Sequence, residues 1–403
     1  MRILGVGTNR HRKERAMTYR PECSIPSELL EEVAEQGLDV VPELIRTLIN
    51  AAMRIERQRH LGVAPYERSP VRRGRANGYK PKTVATRVGK IAFDVPQVRE
   101  GGFYPQALEK GLRSERALKL ALAEMYIQGV STRKVAAITQ QLCGFDVSSS
   151  QVSQAAAALD EQLQAWGQRP LGQTRYLYLD AHYEKVRQDG QVRDAAVLKA
   201  VGVNTDGKRE VVGVSVSLSE AEPHWRSFLQ SLLSRGLSGL ELIISDAHAG
   251  LAQARRAVFG GVPWQRCHFH LQQNAQAYVP TQDMRKQVAA DIRAIFNASN
   301  RHEAERLLQM ASQKYQPLAS RLAQWLEENI PEGLTVFAFP DSNRRLLRTS
   351  NGVERLTREI RRRSRVVGIF PNEASCLRLI TAVVMEISDD WITNRVYLSP
   401  HAS

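Results

Sequence analysis

Tyr178-Leu179-Asp180 and Ile243-Ile244-Ser245-Asp246 each end an apolar, strand-like run on an aspartate, and Ser350-Asn351-Gly352-Val353-Glu354-Arg355 opens a helix with a glutamate in its first turn. Side chains at the C-terminal ends of neighbouring strands converge on one sheet edge, so Asp180 and Asp246 are expected side by side. Along the third stretch Val353, Leu356 and Ile360 form an apolar stripe that turns the helix toward a sheet. Glu354 is then followed on a neighbouring face by Arg358, Arg361 and Arg365, with Arg362 beside them. Any one of these residues alone also fits a turn, a cap or a surface ion pair. Together they predict a cluster of carboxylates, the oxygen-only donor set that magnesium takes. Two such ions about 4 Å apart activate the attacking oxygen and stabilise the leaving oxygen in phosphodiester chemistry.

Outward from these stretches the chain alternates. Strands are expected over 176–179, 195–203, 210–218, 242–245 and 264–267, with Asp206-Gly207 as a turn. Helices are expected over 223–235 and 251–258, and from 271 to 329 everything reads as helix. Strand, strand, strand, helix, strand, helix, strand, helical insertion, helix is the order of an α/β, ribonuclease H-like domain. The expected segments are 174–274 for its first part, 275–345 for the insertion and 346–403 for the last catalytic helix and the C-terminal helices.

Upstream the grammar is helical and basic. Residues 1–110 read as a helical region (25–60), a basic arm and a short hairpin strand at Ile91, Phe93 and Val95. In the arm Arg72, Arg73, Arg75, Lys80 and Lys82 crowd around Tyr66 and Tyr79, with Asn77-Gly78 as a turn signal. A solvated loop has this composition; so does an arm that lies on DNA phosphates. Residues 111–168 read as three helices, the second capped by Ser131 and ended by Gly144, the third capped by Ser148. That is the pattern of a helix-turn-helix, and equally of a structural helical hairpin. No Lys or Arg occurs between Val135 and Gln168, so base reading would fall to Ser149, Ser150, Gln151 and Gln154, and phosphate contact to Arg133 and Lys134.

Composition narrows the partners. The chain has 403 residues, 43% of them hydrophobic and 24% charged, and a net charge of +14, which favours a polyanion. No apolar run is long enough to span a bilayer, and residues 1–16 lack the apolar core of a secretory signal. Cys23, Cys143, Cys267 and Cys376 form no CxxC pair and fit a reducing, cytoplasmic setting. Cys267-His268-Phe269-His270 invites a zinc reading but lacks a second ligand pair. Cys267 and His270 are therefore read as active-site neighbours or packing residues. His182 and His248 each lie two residues beyond one of the aspartates, where an exposed loop histidine is the default and an active-site neighbour in contact with substrate the alternative.

At this level of detail the chain resembles the transposases of bacterial insertion sequences of the Mutator-like, IS256 type. The matching text includes Tyr178-Leu179-Asp180-Ala181, Ser245-Asp246-Ala247-His248-Ala249-Gly250-Leu251, and Trp264-Gln265-Arg266-Cys267 with His270. It continues with Asn351-Gly352-Val353-Glu354-Arg355, Arg361-Arg362-Arg363 and Val366-Val367-Gly368-Ile369-Phe370-Pro371-Asn372-Glu373. The similarity runs from about Leu29 to Tyr397; the first fifteen or so residues have no counterpart, which makes Met17 a candidate start. The resemblance implies a DDE transposase, with Asp180, Asp246 and Glu354 holding two Mg2+ ions for which Mn2+ substitutes. It implies binding of terminal inverted repeats and target DNA by a homo-oligomer, in the bacterial cytoplasm at the nucleoid. Cleavage would free a 3′-hydroxyl that attacks a second phosphodiester, with no covalent protein–DNA intermediate. Readings from other classes are a non-catalytic DNA-binding repressor and a plain ribonuclease H-like nuclease.

Overall fold

The computed structural model describes residues 27–65, 67, 69–99, 102–111, 113–157, 159–393 and 396–398. Met17, Cys23 and Tyr66 lie outside them. The chain divides into two compact units between Glu115 and Arg116.

The first unit holds helices α1 (Ser27–Gln36) and α2 (Val41–Leu61) and an antiparallel ribbon of β1 (Ala76–Thr86) and β2 (Gly89–Val98). Helix α2 carries Pro42 in its first turn, where no amide hydrogen is needed, and stops at Gly62, whose φ of 72° suits a left-handed cap. Met53 packs with Val84, Ile91, Phe93, Val95 and Leu108. The alternation of Ile91, Phe93 and Val95 is thus the buried face of β2. Strand β1 corrects the sequence reading, which has a loop here. Asn77-Gly78 is no turn: it sits within β1, at a register shift between Ala76 and Tyr79. The chain reverses at Arg87-Val88 instead. Only Val84 of β1 is buried, so the strand has no hydrophobic alternation to betray it; its ladder to β2 makes it.

The second unit begins with α3 (Arg116–Ile127), α4 (Thr132–Cys143), α5 (Ser149–Ala157) and α6 (Asp160–Gly167). The expected caps are present. Ser131 Oγ accepts from the Lys134 amide, Gly144 closes α4 at φ 70°, and Ser148 and Gln151 exchange bonds in a capping box at the start of α5.

The sheet follows: β3 (Thr174–Gln188), β4 (Gln191–Asn204), β5 (Arg209–Ser217), then α7 (Glu222–Ser234), β6 (Leu242–Ser245), α8 (Ala249–Phe259) and β7 (Trp264–Arg266). The spatial order is β5-β4-β3-β6-β7; β5, β4 and β3 are antiparallel neighbours, β6 runs parallel to β3, and β7 runs parallel to β6. Strand β3 does not end at Asp180 as expected. It continues to Gln188 and turns at Asp189 (φ 50°) and Gly190 (φ 77°) into β4. Its second half pairs with β4 after β6 has stopped, and on the side β6 has left it carries one isolated bridge, from Val186 to Phe370. That half is largely polar.

Helices cover both faces. On one, Leu177, Leu179 and Leu198 meet Trp225, Phe228, Leu229 and Leu232 of α7. On the other, Tyr176, Tyr178, Val197 and Val201 share a core with residues of the two C-terminal helices, α14 and α15 below. The expected helical stretch after β7 is divided into α9 (His268–Ala275), α10 (Gln282–Phe296), α11 (Arg301–Tyr315) and α12 (Ser320–Asn329). Then come α13 (Asp341–Leu347), α14 (Asn351–Ser364) and α15 (Glu373–Thr393). Val353, Leu356 and Ile360 are buried, so the stripe on α14 faces the sheet as the sequence predicts.

Candidate active site

Register sets the site. Tyr176, Leu177 and Tyr178 pair with Leu242, Ile243 and Ile244, and the same offset carried on brings Asp180 level with Asp246. Ser245 pairs with Arg266, so the next residues, Asp246 and Cys267, are level as well. On the other side Asp180 pairs directly with Lys199 of β4. Lys199, Asp180, Asp246 and Cys267 therefore form one row across four adjacent strands, spaced by about 4.8 Å per strand.

Helix α14 is tied to this row twice. Thr357 Oγ1 donates within reach of Asp180 Oδ2 (3.2 Å) and of the Val353 carbonyl (2.9 Å). Lys199 Nζ donates to Asp180 Oδ2 at 2.7 Å and also to Thr357 Oγ1. The second tie is at the start of the helix. The Ser350 amide and hydroxyl lie 3.4 and 3.3 Å from Cys267 Sγ, and the same hydroxyl is 3.4 Å from Glu354 Oε1. Glu354 thus stands over the row between Thr357 and Ser350. Further along, Ser364 Oγ donates to Glu184 Oε1 at 2.8 Å, so α14 runs beside β3 from Asp180 to Glu184.

Cys267 and His270 belong to this floor. Burial pushes the Cys267 thiol up, but His270 and Ser350 outweigh it and leave the thiol below its ordinary value. His270 is raised to about 9, first by Cys267 and against burial, with the charges of Asp246 and Asp180 adding. His268 turns away into the core: Nε2 donates to the Gly333 carbonyl at 2.6 Å, the ring stacks on Phe296, and burial lowers it to about 4.

Around Asp246 stands a second acidic group that sequence reading misses. The His248 amide donates to Asp246 Oδ1 at 3.2 Å, and His248 Nδ1 is 3.3 Å from Glu220 Oε1. Glu220 accepts from the Tyr183 hydroxyl and Trp225 Nε1, and burial raises its carboxyl above the usual range, with Asp246 adding and His248 opposing. His182 is buried on β3, because the strand runs past it. Burial lowers its pKa, with Glu184 opposing.

Among the described residues no group of three or more His, Cys, Asp and Glu stands close enough to hold one ion as placed. The donor chemistry of the row nevertheless suits magnesium: two level carboxylates and a third above them, all oxygen. Both bonds to Asp180 use Oδ2, which leaves Oδ1 for a ligand.

The candidate DNA contacts are distributed. Arg358 and Arg361 are exposed on α14 and Arg365 at its C-cap, whereas exposed Arg362 is ion-paired with Glu359 at 2.6 Å. Ser149, Ser150 and Gln154 are exposed and line an open cleft of about 580 Å³ with Val366, Ile369 and Pro371. Gln151, Arg133 and Lys134 are exposed too. In the first unit Arg72, Arg73, Arg75 and Lys80 are exposed, while Lys82 Nζ is bound to the Tyr104 hydroxyl and the Glu109 carbonyl.

Sequence reading also misses Lys199 and Thr357. The signals for them are a single Lys in the apolar run from Ala195 to Val203, and a Thr one turn beyond Glu354 on the same helix.

A family model described as transposase, Mutator family, matches residues 21–394. A transposase for insertion sequence element IS406 from Burkholderia multivorans is 56% identical over 385 residues, 95% of this chain and 99% of the relative. A transposase for ISRM5 from Rhizobium meliloti is 40% identical, over 94% of this chain and 96% of the relative. A transposase for IS256 in transposon Tn4001 from Staphylococcus aureus is 35% identical, over 93% and 98%.

Proposed function

The chain belongs to the Mutator family of transposases, and from that premise we propose that it cuts and rejoins the DNA ends of its insertion sequence by a metal-dependent DDE mechanism. The observation that carries the reading is the row itself: Asp180 and Asp246 level on adjacent parallel strands, with Glu354 above them on a helix tied down through Thr357 and Ser350. The sheet order and the helices on both faces support a ribonuclease H-like fold, with α10 to α13 as an insertion before the last catalytic helix.

Asp180, Asp246 and Glu354 would hold Mg2+, or Mn2+ in its place. Bound there, such ions activate the attacking oxygen and stabilise the leaving oxygen of a phosphodiester. The chain's own residues do the rest. Arg358 and Arg361 on the helix of Glu354, and Arg365 at its C-cap, suit a phosphate backbone running past the row. The basic first unit and helices α4 and α5 would bind the terminal inverted repeats. Two ends must be held at once, so at least a dimer on DNA is expected. Action on DNA places the protein in the cytoplasm, at the nucleoid; among the described residues no helix is long and apolar enough to cross a membrane.

The test is to express the gene beside its own flanking DNA and amplify across abutted element ends, for the wild type and for Asp246→Ala. Joined ends with the wild type alone support the reading. Cut but unjoined ends would make the protein a plain nuclease. Bound but intact ends would make it a repressor. Joined ends with both proteins would remove Asp246 from the chemistry.

A further inference from the structure

We propose that Lys199 is a positioning residue for the carboxylate row: it holds Asp180 by one oxygen and the helix of Glu354 by Thr357, so that both are in place before metal and DNA arrive. This rests on the reading of Asp180 as a metal ligand.

Strand β4 runs Ala195-Ala196-Val197-Leu198-Lys199-Ala200-Val201, and every one of these residues is buried. The Lys199 side chain is 0% exposed, a single ammonium in an apolar run near the middle of the sheet. Removing an ammonium from water costs several kcal/mol unless its donors are met. Here they are met by two groups that belong to the proposed site. Asp180 lies directly opposite on β3, on the same face, with Oδ2 at 2.7 Å. Thr357 Oγ1 comes down from α14, one turn beyond Glu354.

The hydroxyl geometry makes the link directional. Thr357 has one proton and two acceptors in reach, Asp180 Oδ2 and the Val353 carbonyl. Lys199 can only donate to it. The ammonium therefore joins strand and helix whichever way the hydroxyl turns. Because Lys199 is fully enclosed it does not touch DNA; it acts through Asp180 and Thr357. Occupying Oδ2 fixes the carboxylate rotamer and leaves Oδ1 outside the pair. A partner that orients a metal ligand in this way is worth about 10- to 100-fold in metal affinity.

A counter-ion with no positioning role predicts something else. Its charge repels a divalent ion, so replacing it with a neutral side chain of similar length would tighten metal binding. The two cases separate in one measurement. The full-length protein, bound to a duplex carrying the element's own end, is titrated with Mn2+ and bound ion is followed by electron paramagnetic resonance. End cleavage is timed over the same Mn2+ range. Lys199→Met, Thr357→Val, the double variant and Asp180→Ala are compared with the wild type, with end binding and thermal melting as controls.

The expected result for Lys199→Met is Mn2+ affinity weakened about tenfold, with cleavage recovering to within a few-fold at saturating Mn2+ and end binding unchanged. Thr357→Val should weaken Mn2+ binding by a smaller factor, since Lys199 still holds Asp180 in it, and the double variant should be at most a few-fold worse than Lys199→Met, since only the longer Thr357 bond to Asp180 is lost in addition. Unchanged or tighter Mn2+ binding in Lys199→Met overturns the proposal. If that variant fails to fold, Thr357→Val decides: unchanged Mn2+ binding there overturns it equally. Asp180→Ala keeps the two readings apart. If it still binds Mn2+ as the wild type does and cuts, the metal-ligand reading of Asp180 fails. If it loses both while Lys199→Met is indistinguishable from the wild type, only the role of Lys199 falls.

Discussion

The row across the sheet and the basic ribbon of the first unit are built on opposite terms. In the row the polar groups have named partners: Lys199 has Asp180 and Thr357, and Cys267 has Ser350. In the ribbon the charges of Arg73, Arg75 and Lys80 stand in solvent, on and beside a strand that buries one residue. Chemistry on a phosphorus atom, as proposed for the row, needs geometry fixed to fractions of an ångström. Contact with a nucleic-acid backbone, as proposed for the ribbon, tolerates looser geometry, because many weak contacts add up. A single substitution should therefore be nearly all-or-none in the row and graded in the ribbon.

The largest effect tests that contrast directly. If Asp246 is the metal ligand proposed above, Asp246→Ala should lower end joining on the order of 10³-fold or more, because the in-line reaction would lose a carboxylate ligand. End binding should stay within about twofold and melting within about a degree or two, since among the described residues the Asp246 carboxylate receives the His248 amide alone, a bond worth roughly 1 kcal/mol. Joining and binding are read on the same preparation by product amplification and anisotropy. Parallel losses in both would erase the distinction between the two regions.

The next effect sharpens it through pH. His268 begins α9 beneath the row, and its amide donates to the Arg348 carbonyl just ahead of α14. Burial holds the ring neutral in the fold, at about 4 against an ordinary 6.5, and outweighs the opposing bond to Gly333. The unfolded chain therefore binds the proton first. Stability from this group is complete above pH 6.5, falls as pH drops toward 4, and levels off below it. The loss is at most roughly 3 kcal/mol. Melts between pH 7 and 4 should show that slope in the wild type and a flatter one in His268→Gln. Equal slopes would mean that other groups under the row titrate instead.

How much of this is legible in the sequence follows from the same contrast. Asp246 and Glu354 are readable because each closes or opens an element: an apolar run before Asp246, and an apolar stripe beside Glu354. Asp180 is readable for the same reason, but with the wrong boundary. Beyond it β3 loses β6 as a neighbour and turns polar, so hydrophobicity marks where two-sided pairing ends and not where the strand ends. Lys199 escapes because one Lys does not change the pattern of a buried strand; only the cross-strand register shows that it faces Asp180. Glu220 lies outside any regular element, and the fold brings it to His248 from a distant loop. Strand β1 has the composition of a loop because a two-stranded ribbon with one covered face needs little apolar content.

A smaller effect separates holding α14 from holding the row. Arg363 is buried on the back of the helix, with Nη1 and Nη2 at 2.6 and 3.0 Å from the Glu386 carboxylate and Nε at 3.0 Å from Glu359. Arg363→Ala should cost about 2 kcal/mol. That lowers the melting temperature by roughly 3 °C in a unit of this size. Joining at a temperature well below the melt should fall only a few-fold, because Thr357 and Ser350 still hold the face that carries Glu354. A loss as deep as that of Asp246→Ala would mean that the back of α14 positions Glu354 as strictly as the row does.

The smallest effects belong to the ribbon, where Lys80 and Lys82 make a matched pair on one strand. Lys80 is exposed, whereas Lys82 Nζ is engaged by the Tyr104 hydroxyl at 2.8 Å and the Glu109 carbonyl at 2.9 Å. If Lys80 meets a phosphate, Lys80→Ala weakens end binding only a few-fold at moderate salt, and the slope of log affinity against log salt falls by about one. Lys82→Ala should leave that slope alone and instead destabilise the first unit by about 1 kcal/mol, the worth of its internal bonds. Salt titrations of end binding, set beside melts of the same two variants, read both quantities. Reversal of the two outcomes would put the phosphate contact on the inner lysine, and the ribbon would then be ordered around DNA as tightly as the row is ordered around its carboxylates.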